Sequence, residues 1–395
     1  MEKQGRMTCP QEETMKRIVA IIGMAALSVA GFFGCSYLNE AMAPKGFDPA
    51  TVPDVVEYAA GIPAETVVAR VDGEPILAED YLYWMGYTVE MLQYYQGGAE
   101  LDWTMDVEGM TLADTVKAQS LETAKLYRVV ETLAREAGCA MDAEDEAHYQ
   151  AGLETMVEQL GGEAAFDKWL LEIGLTKNGY HKVNEVQYLH ENLEEKVAGE
   201  VALTEEEKAE YVEENDILRA KHILLMTQDR TTGETYSEEK KAEVLAQAEG
   251  LVAQLRESED PIALFDRLMH EYSEDGGLAA YPDGYDFTAG EMVEPFEQGT
   301  RGLAIGEISG VVESSYGYHI ILRLDPVESP TYWESVRAEL ARTELTERLN
   351  TALEEAQVEL TEAYDALDVA AYIANLSNLR VEIALEVAAA EAEEN

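Results

Sequence analysis

Three kinds of residue are scarce in this chain of 395, and each scarcity closes off a class of function. Cysteine is limited to Cys9, Cys35 and Cys139, too few and too far apart for a disulfide framework. Basic residues number 28 against 79 acidic ones, and the net charge of −51 argues against nucleic acid or an anionic membrane surface as a direct ligand, since phosphate binding needs a basic patch. Histidine occurs only six times. His181 and His190 stand among Lys and Glu and read as a solvated helix face, while His148 and His270 stand alone, so no metal set is expected. There is no glycine-rich phosphate loop, no G-x-S-x-G and no C-x-x-C. The acidic runs lack the alternating oxygen ligands and glycine of a calcium loop. The chemistry expected is therefore free of metals and cofactors.

What is present begins with an export pattern. Lys16-Arg17 precede the apolar run Ile18 to Gly34, which is short for a spanning helix of roughly 20 residues and reads as a signal peptide over 1–34. Residues 1–14 read as an upstream extension, with Met15 the start. A small residue directly before Cys35 resembles the lipobox of bacterial lipoproteins, although Phe32 and Phe33 stand where a leucine and a small residue are usual. That resemblance implies a lipid on Cys35 and a protein tethered at the extracytoplasmic face of the membrane. An ordinary signal peptide is the alternative.

At 47% hydrophobic residues the chain is folded despite its charge, and its length calls for more than one unit. Residues 35–62 are rich in turn formers and read as a tether. Over 63–215 a hairpin at Asp72-Gly73 is followed by helices with one apolar stripe each, such as Leu126, Val130, Leu133 and Ala137 before Gly138. Thr204 and Glu207 form a capping-box pattern. At Ile217 the texture changes. Residues 216–326 give the order β-α-α-loop-α-β-β, a compact α+β unit. Helical texture returns over 327–380, and 381–395 is an acidic tail expected to fray. The fold class expected is thus α+β, an α+β domain inserted into a mostly helical domain built from both ends of the chain.

The two remaining histidines decide the reading. His222 in "RAKHILL" and His319 in "YGYHIILRL" sit among bulky apolar residues, one in the first strand of the α+β unit and one in the last. Either alone is an ordinary core histidine. Between them come "YSEDGG", "GEMVEPFE" and "GEISGVV", in that order.

With these pieces the region from Ile217 to about Asp325 resembles the parvulin, or rotamase, family of peptidyl-prolyl isomerases. Its surroundings resemble the PrsA-type extracytoplasmic foldases, relatives of the SurA-type chaperones. The resemblance implies catalytic residues at His222, Asp275, His319 and Ser314, with hydrogen bonds joining them. It also implies a proline-ring slot from Phe287, Met292 and Phe296. It implies as partners unfolded secreted polypeptides containing X–Pro bonds, and leaves monomer and homodimer both open. Two departures stand out. The family's frequent Gly-Gly-Asp-Leu-Gly appears as Pro282-Asp283-Gly284-Tyr285-Asp286. The basic cluster of phosphate-binding parvulins is missing, with only Arg230 in the loop after His222. A second reading, of another class, is a holdase chaperone whose parvulin module is a scaffold. For it, Tyr83, Trp84, Met85, Tyr87, Met91, Tyr94 and Tyr95 would offer an apolar surface to clients, against the plainer reading of core packing.

Overall fold

The computed structural model describes residues 54–394 and divides into two units, one running to Val197 and resuming at Ala341, the other Ala198–Leu340. The signal segment, Cys35 and the first part of the expected tether lie outside the described residues. Among the described residues no helix is long and apolar enough to cross a membrane.

The first unit is built from both ends of the chain. Asp72 and Gly73, at φ 51° and 85°, make the mirror-image turn that suits a two-residue hairpin between strands Val67–Val71 and Glu74–Leu77. The strand Val358–Leu360 pairs antiparallel on the other edge of Val67–Val71. Five long helices follow the hairpin: Ala78–Tyr95, Leu112–Ala137, Ala143–Leu160, Glu163–Ile173 and Lys177–Glu200. Their core contains Tyr81, Leu82, Met85 and Leu112, joined by Tyr372, Leu376, Leu379 and Ile383 of the helix Val369–Glu394. The Tyr372 hydroxyl donates to the Leu82 carbonyl at 3.1 Å and Arg380 Nε to the Glu172 carbonyl at 2.7 Å, so the last helix is locked in by polar contacts as well as apolar ones.

Three expectations change here, and for the aromatic cluster the plainer core reading is the one observed. The tether does not extend to residue 62: Asp54 caps a helix Val55–Ala60, because Val55, Val56 and Ala59 recur on one face and bury there. The tail does not fray at 381, since Glu382 and Ile383 are buried and the helix continues to Glu394. The stretch past Pro330 is not continuously helical: the helix Pro330–Glu355 ends before the strand Val358–Leu360, which the hairpin edge recruits. Most of the proposed client surface is core, with Trp84, Met85, Tyr87 and Met91 buried; only Tyr94 (65% exposed) and Tyr95 (45%) face solvent.

In the second unit, the capping box at Thr204 and Glu207 opens a short helix Glu205–Glu214. Then come β1 (Leu218–Met226), α1 (Glu238–Glu257), α2 (Pro261–Tyr272), β2 (Tyr285–Phe287), α3 (Glu294–Arg301), β3 (Ile308–Glu313) and β4 (Gly317–Leu324). The sheet is antiparallel throughout, in the order β2-β1-β4-β3. Side chains alternate across it. Ile223 and Leu225 of β1, with Tyr318, Ile320 and Leu322 of β4, turn to one face and pack on Val244, Ala248, Leu251 and Leu255 of α1 and Phe265 and Leu268 of α2. The other face carries Leu218, Ala220 and Ile321 under Phe287 of β2 and Phe296 of α3. The two-residue period puts His222 and His319 on this second face.

Candidate functional site

His222 and His319 lie in mid-strand on the two central strands, not at strand ends. In the β1–β4 register His222 stands opposite Ile321 and His319 opposite Leu224, so the two imidazoles are diagonal neighbours on one face. Their rings stack at 5.2 Å and 13°, and Nδ1 of one meets Nδ1 of the other at 2.9 Å. Phe296 closes over both, edge-on to His222 at 5.0 Å and to His319 at 5.4 Å.

The ends of this pair are held by two loops. The turn after β3 places Ser314, whose Oγ lies 2.7 Å from His319 Nε2 while accepting the Tyr316 N–H at 3.1 Å. On the other side, Ser273 to Asp275 runs beside β1. Ser273 Oγ accepts from Leu224 N, Glu274 N donates to Leu224 O, and the Glu274 carboxylate accepts from Met226 N. That lacing brings Asp275 Oδ2 to 3.2 Å from His222 Nε2, close to but short of an aligned hydrogen bond.

Electrostatics follows from the burial. His319 is 3% exposed, and loss of hydration lowers its pKa to about 3, with the neighbouring His222 adding to the effect. His319 is therefore uncharged near neutrality. Asp275 is held well below the usual carboxylate range, first by the contact with His222, which outweighs its partial burial, and further by the Tyr285 hydroxyl. With His319 uncharged, one placement of the ring protons is compatible with all of these contacts. Ser314 donates to His319 Nε2, His319 Nδ1–H donates to His222 Nδ1, and His222 turns Nε2–H toward Asp275. The result is a polarised chain of groups that ends on a carboxylate.

Of the residues read from the sequence, His222, Asp275, His319 and Ser314 form this one chain. Phe287 and Phe296 meet at 5.8 Å, and Met292 packs half-buried against the same small cluster. Two residues to which the sequence assigned no role in the site complete it. Tyr285 donates its hydroxyl to Asp275 Oδ2 at 2.5 Å. Arg219, nearly buried, donates to the carbonyls of Asp283 and Asp325 and lies 3.8 Å from the Asp286 carboxylate, which is what holds the 283–286 loop to β1. An arginine in an apolar strand was the available signal for the second; for the first it was the departure from the family pattern at residues 282–286.

Residues 204–326 match the family described as the PPIC-type PPIase domain, where PPIase denotes a peptidyl-prolyl cis–trans isomerase. The foldase protein PrsA of Oceanobacillus iheyensis is 34% identical over 197 residues, which are 46% of this chain and 58% of that protein. The foldase protein PrsA of Caldanaerobacter subterraneus is 27% identical over 309 residues, 75% of this chain and 85% of that one. The crystal structure of PrsA from Bacillus subtilis is 21% identical, covering 68% of this chain and 97% of that one, at a TM-score of 0.30. Residues 204–326 are thus a PPIC-type peptidyl-prolyl isomerase domain, carried in a PrsA-like chain.

Proposed function

We propose that the chain catalyses cis–trans isomerisation of X–Pro bonds in unfolded exported polypeptides, from a position tethered to the extracytoplasmic face of the membrane through Cys35. The reaction requires no nucleophile. Its barrier of roughly 18–20 kcal/mol is the loss of amide resonance on rotation, so a site accelerates it by favouring the twisted amide over the planar one. Phe287, Met292 and Phe296 supply an apolar slot for the pyrrolidine ring. The Ser314–His319–His222–Asp275 chain supplies fixed dipoles beside it, already oriented before substrate arrives. The uncharged state of His319 fits this role: its contribution is shape and hydrogen bonding, and no proton transfer to or from the amide is called for.

The observation that carries the proposal is the 2.9 Å contact between the two imidazoles beneath Phe296. That contact buries two polar rings side by side in a small apolar cluster, an arrangement a purely structural sheet would fill with Ile or Val. The test is a proline-tetrapeptide assay on wild type, His222→Ala and Asp275→Ala. Wild type should accelerate isomerisation, with each variant slower by about tenfold or more, as expected for removing one member of a buried network. Wild-type rates equal to buffer, together with suppression of client aggregation, would instead establish the holdase. Mass spectrometry of the mature N-terminus checks the anchor, a diacylated Cys35 being expected.

A further inference from the structure

The loop where this chain departs from the family pattern carries its own device. Tyr285 pairs with Ala220 in the register of β2 and β1, two residues before His222 on the same face. Its ring stands edge-on to His222 at 5.7 Å and 84°, and Tyr281 packs on it at 5.0 Å, so the phenol is gripped by two aromatic neighbours. Two glycines make room for it. A Cβ on Gly277 would lie 2.1 Å from the Tyr285 hydroxyl. Gly284, at φ +100°, would put a Cβ 2.8 Å from the Ala220 carbonyl, so only glycine lets β2 reach β1 at this point.

We propose that Tyr285 is a positioning residue of the isomerase site, its hydroxyl fixing the Asp275 carboxylate so that His222 presents a single tautomer to His319. This rests on the function proposed above. The carboxylate has two anchors besides the imidazole. Oδ1 accepts the Gly277 N–H at 3.3 Å, and Oδ2 accepts the Tyr285 hydroxyl at 2.5 Å. Burial and the adjacent carboxylate push the phenol well above its ordinary pKa, so it stays a donor at any working pH. With Oδ2 pinned as an anion 3.2 Å from His222 Nε2, the proton of that imidazole is drawn to Nε2. The reverse assignment turns the Nε2 lone pair at a carboxylate and is repelled. Loss of the hydroxyl frees Oδ2 to swing away, and the chain through His319 to Ser314 is then no longer held in one direction.

The full chain, labelled with 15N-histidine, tests this by imidazole shifts. Wild type should show His222 as the Nε2–H form and His319 as the Nδ1–H form, and Tyr285→Phe should show His222 in exchange between tautomers. In the tetrapeptide assay Tyr285→Phe should lower kcat/KM by about tenfold, the scale of one hydrogen bond to a charged group. The double variant with Asp275→Ala should be no slower than Asp275→Ala alone, because Tyr285 acts through that carboxylate. Gly277→Ala, which keeps the phenol but displaces its hydroxyl, should reproduce the tautomer exchange. Unchanged His222 shifts in both Tyr285→Phe and Gly277→Ala, or additive losses in the double variant, overturn the proposal. An inactive wild type removes the proposed function instead, and the shifts still decide the role of Tyr285.

Discussion

Replacing His319 by Gln should flatten the pH dependence of stability of the β1–β4 sheet. The sign follows from the direction of the shift. His319 takes up a proton at about pH 6.5 in an unfolded chain and only near pH 3 in its buried place. Between those values the unfolded chain binds more protons than the folded one, so stability falls as the solution is acidified. From pH 7 to pH 5 the unfolded chain gains about 1.4 kcal/mol for each pH unit below 6.5, giving a loss of about 2 kcal/mol from this residue. That figure is insensitive to how far below pH 4 the folded ring titrates, since by pH 5 it is still uncharged. Glutamine keeps an amide for Ser314 and His222 to meet but has no proton to gain. The measurement is urea dependence of amide hydrogen exchange for β1 and β4, which reports on this sheet and not on the helical unit. The wild-type curve should drop by about 2 kcal/mol more than the variant's between pH 7 and pH 5. Parallel curves would mean that the folded imidazole takes up its proton near pH 6.5, and the neutral, hydrogen-bonded chain derived for the site would fall with it.

Three further outcomes follow from packing and charge. Phe296→Ala removes a 2%-exposed ring that touches His222, His319 and Phe287, and should destabilise the module by about 3–5 kcal/mol in denaturant titrations while also slowing the tetrapeptide reaction. Arg219→Met leaves the Asp286 carboxylate, whose pKa burial already raises, without its nearby cation; a loss of about 3 kcal/mol is expected, and adding Asp286→Asn should recover part of it. Truncation after residue 356 removes the strand Val358–Leu360 together with Tyr372, Leu376 and Ile383, and the helical unit should lose its cooperative thermal transition; a sharp transition in the truncated chain would contradict a core shared by both ends.

Local signals were legible where local chemistry decides the outcome. Asp72-Gly73 has to turn because these residues tolerate positive φ, and Thr204 with Glu207 satisfies helix-end donors from within four residues. The site residues were legible through resemblance, since several short pieces in fixed order carried it. What was hidden is what distant segments do to each other. "VEL" at 358–360 has no reason to be a strand until the open edge of Val67–Val71 accepts it, through Asp72 N–H to the Gln357 carbonyl and Gln357 N–H to Asp72 Oδ1. The acidic tail looked solvated by composition, yet Ile383 has a core waiting for it. Residues 55–60 looked like linker because a single helical turn and a half is too short to show a period.

Tyr285 belongs to the same class of hidden residue, and it explains why a strand of bulky apolar side chains tolerates histidine. A buried imidazole has two ring nitrogens to satisfy, and leaving either without a partner is destabilising by about 1–3 kcal/mol. In β4, His319 meets Ser314 on one nitrogen and His222 on the other. In β1, His222 meets His319 on one and faces Asp275 on the other, and Asp275 is in turn anchored by Tyr285 and Gly277. Each link is needed by its neighbour, which makes the rings tolerable inside an apolar cluster and also leaves them without freedom to turn. A site whose task is to prefer one geometry of an amide over another has use for dipoles that do not reorient when the amide rotates. Stability and function therefore draw on the same few contacts here. Substitutions that loosen the chain should lower both together, as Tyr285→Phe and His222→Ala test from its two ends.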